Sequence, residues 1–208
     1  MINKMLAGSS RMGSAILSPM LAPTYGTIIV LWASVMCLLP IGTRITVLAV
    51  IIGITCVLPM MCIGVLHHYG FVSSKTLDKP RERRIPYAFA TLCYLGAAFY
   101  LDHIHAPMWF TMFMAGSLAA LLIVTLVNMW WKISAHLTGM GGIVALIYQI
   151  HVQGLSAFEL FWVLCIAILF AGMLGTARLI LKCHTLPQVL AGFAVGYTCV
   201  TLAMKLFG

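Results

Sequence analysis

The sequence predicts an all-α, polytopic transmembrane helix bundle of about six to seven spans. Three observations carry this. Hydrophobic residues make up 62% of the 208-residue chain and charged residues only 8%, against about 25% charged in an ordinary soluble domain. Apolar runs near the roughly 20 residues that a bilayer-crossing helix needs recur along the chain. The charges that remain gather between those runs. A soluble domain with its own core is excluded, and one membrane-embedded domain is expected.

Seven candidate spans follow in order: 24–40, 45–66, 86–102, 107–131, 137–151, 157–177 and 186–206. The first is the least regular. The second ends in His67 and His68, which are placed to meet a lipid headgroup. The third opens at Pro86, a residue suited to the first turn of a helix. The fourth is bracketed by Trp109 and by Trp130 and Trp131, as interfacial aromatics should be. The fifth is short, and its Gly139, Gly141 and Gly142 allow a neighbouring helix to come close. The sixth carries Trp162 near its start. The seventh follows the Arg178 to His184 segment and opens near Pro187. Residues 1–23 are expected to form an N-terminal cytoplasmic segment, and residues 24–208 the membrane-embedded helical domain. No secretory signal peptide is expected, because the first 22 residues lack a continuous apolar core before a small-residue cleavage site.

Seven cysteines lie mostly inside apolar runs, with no Cys-x-x-Cys pair. They read as small packing residues. The net charge of +8 reads as loop charge beside anionic lipid, not as a nucleic-acid surface.

If all seven runs cross, the loops after spans 2, 4 and 6 share one side. Ten Lys and Arg then lie on that face, and only Arg44 and Lys205 on the other. The positive-inside rule places the basic face in the cytoplasm. Setting aside Lys79, Arg84, Lys132 and Arg178 as possible ligand contacts leaves six against two. The compact size fits a bacterial inner membrane.

Three clusters occupy those loops. The first runs Asp78-Lys79-Pro80-Arg81-Glu82-Arg83-Arg84-Ile85-Pro86. Arginine forks and lysine charges bind phosphate oxygens. By itself this cluster reads as a solvated positive-inside loop. The second holds Lys132, Ser134 and His136 at a helix start, where a hydroxyl, an imidazole and main-chain N–H groups can meet one anion. By itself it reads as a lysine anchor beside an interfacial histidine. The third holds Arg178, His184 and Gln188. A histidine just before a helix can act as a nucleophile, and Gln188, one turn on, can hold its other ring nitrogen. His103 and His105 lie in the loop opposite these clusters with no evident further ligands, so no metal site is expected there.

The order Lys79…Arg84-x-Pro86, Ser134-x-His136, Arg178-x5-His184 resembles the type 2 phosphatidic acid phosphatase (PAP2) superfamily. The resemblance runs from about Lys79 to Gln188, roughly half the chain. The family motifs read Lys-x6-Arg-Pro, Pro-Ser-Gly-His and Ser-Arg-x5-His-x3-Asp. Here Ile133 and Ala135 stand for the Pro and Gly of the second motif, Ala177 for the Ser of the third, and Gln188 for its Asp. The first motif is shorter, and Ile85 separates Arg84 from Pro86.

The resemblance implies a PAP2-like core and a lipid phosphatase that needs no metal or other cofactor. By it, His184 would be the nucleophile that forms a phosphohistidine, and His136 the acid that protonates the leaving alkoxide. Lys79, Arg84, Ser134 and Arg178 would hold the phosphoryl oxygens, with Lys132 and Gln188 in support. The partner would be a lipid phosphate within the membrane. A glutamine accepts a ring N–H but does not stabilise an imidazolium as a carboxylate does. A non-catalytic lipid-binding or transport relative, or a lipid phosphotransferase, remains the alternative.

Overall fold

The computed structural model describes residues 17–73, 82 and 84–206. Among them, regular structure is helical apart from one isolated bridge between Ser34 and Ser156. The helices are α1 (Ala22–Ala33), α2 (Ile41–Ile52), α3 (Leu58–His68), α4 (Arg84–His103), α5 (Met108–Val127), α6 (Ala135–Val152), α7 (Phe161–Ile180) and α8 (Leu186–Leu206). A π-helical turn, Gly53–Val57, fuses α2 and α3 into one 28-residue helix. Pro59 explains the wide turn: it offers no N–H, and its ring crowds the carbonyl four residues back.

Five helices are long and apolar enough to cross a membrane: Ile41–His68, α5, α6, α7 and α8. The sequence pattern offers seven, and two of those are of another kind. Helix α4 is as long as α5 but carries Arg84, Asp102 and three tyrosines. Helix α1 is only 12 residues, about 18 Å at 1.5 Å per residue. It stops where tertiary contacts intervene. Ser34 is extended, its hydroxyl donates to Val30 O at 2.5 Å, and Met36 N–H donates to that hydroxyl at 3.1 Å. Val35 N–H then bonds Leu155 O, and Ala157 N–H bonds Ala33 O. The chain between α6 and α7 thus captures the end of α1.

Helix α6 is the centre of the bundle and the most buried of the five. It runs parallel to α8. At one end Ser134 N–H donates to Gln188 O at 3.2 Å. Towards the other end, Gln149 Nε2 donates to Thr201 O at 3.3 Å and Gln153 Nε2 to Met204 O at 3.2 Å. Small residues let the two backbones meet. A Cβ on Gly192 would lie 2.5 Å from Ser134 O, and one on Gly196 would collide with Thr138 O. Gly192-x3-Gly196 is therefore the small-residue ridge of this crossing. Helix α5 packs on α8 and on α4, and α7 flanks α6. Phe110, Phe113, Met114, Leu146, Ile147 and Ile150 fill the core between them. Trp162, Leu169 and Met173 on α7 point outward, whereas Trp109 is buried within the bundle.

Four helices end alike. After α3, α4, α6 and α7 the chain turns through a positive φ at Gly70, His105, Gly154 and Lys182. In each, the next residue donates to the carbonyl five positions back: Phe71 to Leu66, Ala106 to Leu101, Leu155 to Ile150, and Cys183 to Arg178. This is the Schellman closure, which satisfies the last carbonyls of the helix.

Candidate functional site

Because α6 and α8 are parallel and α7 returns between them, the segments 128–134 and 181–185 lie at the same end of the bundle. Residues of the second and third sequence clusters meet there. Gln188 is the joint. Its main-chain carbonyl accepts from Ser134 N–H, and its side-chain Oε1 lies 3.3 Å from His184 Nδ1 and 3.1 Å from Thr185 N.

The Thr185 contact is half of a capping box: Thr185-Leu186-Pro187-Gln188 sets a glutamine to reach back to the main-chain N–H at the helix start. It also fixes the histidine. A main-chain N–H can only donate, so the Gln188 atom facing it is the oxygen. That oxygen is an acceptor, so His184 Nδ1 must supply the other proton. The neutral ring then carries its lone pair on Nε2, the nitrogen a nucleophile needs. His184 itself is buried, at 7% exposure.

Ser134 precedes α6 in the capping position but makes no side-chain cap. It is fully buried, and among the described residues its hydroxyl has no partner. Its own carbonyl is occupied, accepting from Thr138 N and Thr138 Oγ1, each at 3.0 Å. The serine hydroxyl at this helix start is thus left with unused hydrogen-bonding capacity. Arg178 occupies the last turn of α7, half-buried, and its Nε likewise lacks a partner among the described residues. The Schellman turn that follows carries the chain from Arg178 to His184.

His136, half-buried in the first turn of α6, lies beside Leu17, Ser18, Tyr25 and Met140. Lys132 is half-buried in the segment before Ser134. Arg84 opens α4 with an exposed side chain, on a helix that packs against α5 and the 41–68 helix. Lys79 lies outside the described residues. So does Asp78, one of two acidic groups expected at this end. The other, Glu82, accepts from Ser73 N and Ser73 Oγ, both at 3.0 Å. At the opposite end His151 Nδ1 lies 3.6 Å from Glu159. Among the described residues no three His, Cys, Asp or Glu side chains gather as a metal-ligand group.

Sequence reasoning missed two polar residues at this end. Thr185 is one, and the Thr-x-x-Gln spacing was its signal. Asn128 is the other: it caps α5, is buried, donates from Nδ2 to Val124 O at 2.9 Å and leaves Oδ1 without a partner among the described residues. Nothing in the sequence distinguishes it from an ordinary helix-end asparagine.

Comparison with known proteins gives no match to this chain, whether with family models, curated sequences or solved structures.

Proposed function

We propose that this chain is an integral membrane lipid phosphatase of the PAP2 type. It hydrolyses a phosphomonoester or pyrophosphate on a lipid such as phosphatidate, phosphatidylglycerol phosphate or a polyprenyl phosphate. The observation that carries the reading is the His184–Gln188–Ser134 connection. Residues some fifty positions apart, matched to two motifs by spacing alone, are neighbours in space.

In this reading His184 Nε2 attacks phosphorus while His136 gives its proton to the departing alkoxide. The phosphohistidine is then opened by water, whose proton returns to His136. Arg178, Ser134, Lys79 and Arg84 hold the oxygens, and the N-terminus of α6 adds the positive end of its dipole. Lys132 supports them from the segment ahead of Ser134. Helices α4 and α1 would complete the six to seven spans. The excess of Lys and Arg on the site's side argues for a cytoplasmic face, in a bacterial inner membrane.

The test is phosphate release from these lipids by the purified full chain in detergent. Full activity in both His184→Ala and Arg178→Ala would defeat the mechanism. A second reading, a lipid-phosphate-binding relative that does not cleave, is favoured by one observation: position 188 carries an amide already engaged by Thr185 N–H. Tight binding without release, and without a trapped phosphohistidine, would establish it. Transfer to an added alcohol in place of water would mark a phosphotransferase.

A further inference from the structure

Arg44 stands at the end of the bundle opposite His184. Helix α1 ends there, captured by Leu155 and Ala157 beyond the end of α6, and the 28-residue helix of α2 and α3 begins there. The Arg44 guanidinium carbon lies 5.4 Å from the centroid of the Trp32 ring, within the range of a cation–π contact. The ring covers one face of the charge and supplies no hydrogen-bond acceptor. Arg44 Nε is buried and lacks a partner among the described residues.

The chain itself offers this charge no counter-ion. Of its four carboxylates, Glu82 follows the far end of the 28-residue helix and is engaged by Ser73. Glu159 accepts from Phe161 N–H and faces His151. Neither of these, nor Asp102, pairs with Arg44, and Asp78 lies outside the described residues. The helix start aggravates the need. No side chain caps α2 and its first turn holds no acidic residue, so the positive end of the dipole adds to the guanidinium charge. The depth matters too. Leu38 and Ile41 precede Arg44 and Ile45 follows it, all exposed. Apolar side chains so placed on a spanning helix face hydrocarbon, where an unpaired charge is costly. Helical side chains lean towards the N-terminus, which carries the guanidinium outward to the headgroup level.

We propose that Arg44, backed by Trp32, binds the headgroup phosphate of an anionic phospholipid in the leaflet opposite the candidate site. Guanidinium forks pair with phosphate oxygens. A zwitterionic headgroup brings its own ammonium, whereas an anionic one leaves a net charge to neutralise Arg44. This lipid is a structural partner and not the substrate, so the proposal stands apart from the phosphatase reading.

The experiment uses the full chain in phosphatidylcholine nanodiscs with a trace of phosphatidylglycerol carrying a diazirine on its headgroup. Labelled positions are mapped by mass spectrometry. Label is expected within residues 32–45. With the photolipid held at one mole fraction, exchanging part of the phosphatidylcholine for unlabelled phosphatidylglycerol is expected to remove that label. Arg44→Gln is expected to reduce it about tenfold, the equivalent of a charge-assisted hydrogen bond. Lys205→Gln, which removes the charge at the same end of α8, should leave it unchanged. Label on Trp130, exposed at the site end, should persist in both variants and reports a folded, lipid-embedded protein. Should Arg44→Gln not fold, Arg44→Lys keeps the charge and loses the fork, and a partial loss of label is expected. Label on 32–45 that ignores the lipid exchange would overturn the proposal, as would label indifferent to the Arg44 variants. An equal loss in Lys205→Gln would overturn it as well, by showing diffuse surface charge and not a site at Arg44.

Discussion

The Gln188 side-chain oxygen lies 3.3 Å from His184 Nδ1, while its main-chain carbonyl holds Ser134 N–H at 3.2 Å. One residue thus sets the histidine tautomer and ties α8 to the start of α6. Gln188→Ala removes the side-chain contacts and keeps the main-chain one. Phosphate release is expected to fall about tenfold, the equivalent of one hydrogen bond. Stability is expected to fall by about 1 kcal/mol through the lost cap. Gln188→Glu keeps both acceptors and adds a charge that stabilises the imidazolium. Its turnover is expected to exceed that of the unaltered protein, measured as phosphate release at saturating lipid. Equal or lower turnover in Gln188→Glu, with unchanged thermal stability, would show that His184 does not become charged in the reaction.

The nucleophile is tested by trapping. A lipid labelled with radioactive phosphate should leave acid-labile, base-stable label on the denatured protein. That label should vanish in His184→Ala and accumulate in His136→Ala if release of the phosphohistidine needs His136. Vanadate should inhibit, and a chelator should not, because His184 and His136 do the covalent and proton-transfer work in this mechanism. Label that survives His184→Ala would move the nucleophile elsewhere.

Much of this architecture was legible. The apolar run 186–206 coincides with α8, and the glycine-rich fifth span is indeed the helix that another approaches closely. The spacing Arg178-x5-His184 spans one Schellman turn, local geometry that a local pattern can encode. What the sequence hid is long-range. That α1 ends at Ser34 depends on Leu155 and Ala157. That α6 and α8 run parallel depends on Thr138 and Gly196 meeting, which hydropathy does not reveal. The first cluster is ambiguous in sequence, because a positive-inside loop and a phosphate clamp ask for the same residues.

The glycine ridge predicts a graded series. A Cβ at Gly196 collides with the Thr138 carbonyl, and one at Gly141 with the Phe193 carbonyl, both backbone atoms that cannot rotate away. Gly196→Ala and Gly141→Ala are each expected to destabilise by about 1–3 kcal/mol, as overpacked cores do. Gly42 in α2 meets nothing within 4 Å. Gly42→Ala is expected to stabilise by about 0.5–1 kcal/mol through helix propensity. Unfolding in a denaturing detergent, followed by circular dichroism, separates the two groups. Equal effects at positions 196 and 42 would contradict the close parallel crossing.

Lys182 offers a test of the turn that separates Arg178 from His184. It sits at φ +52, where a side chain is crowded and glycine is not. Two equivalent turns, after α3 and α6, use Gly70 and Gly154. Lys182→Gly is expected to relieve about 1 kcal/mol at this position and to raise the thermal midpoint. Lys182→Ala keeps the crowding and removes the charge, so it separates conformation from electrostatics. If the lysine charge also draws the anionic lipid to the site, both variants should raise KM for lipid phosphate, and added salt should shrink their difference from the unaltered protein. A rise in thermal midpoint for Lys182→Gly alone, with KM raised equally in both, is the expected pattern. A fall in thermal midpoint for Lys182→Gly would mean that its side chain makes contacts worth more than the backbone strain.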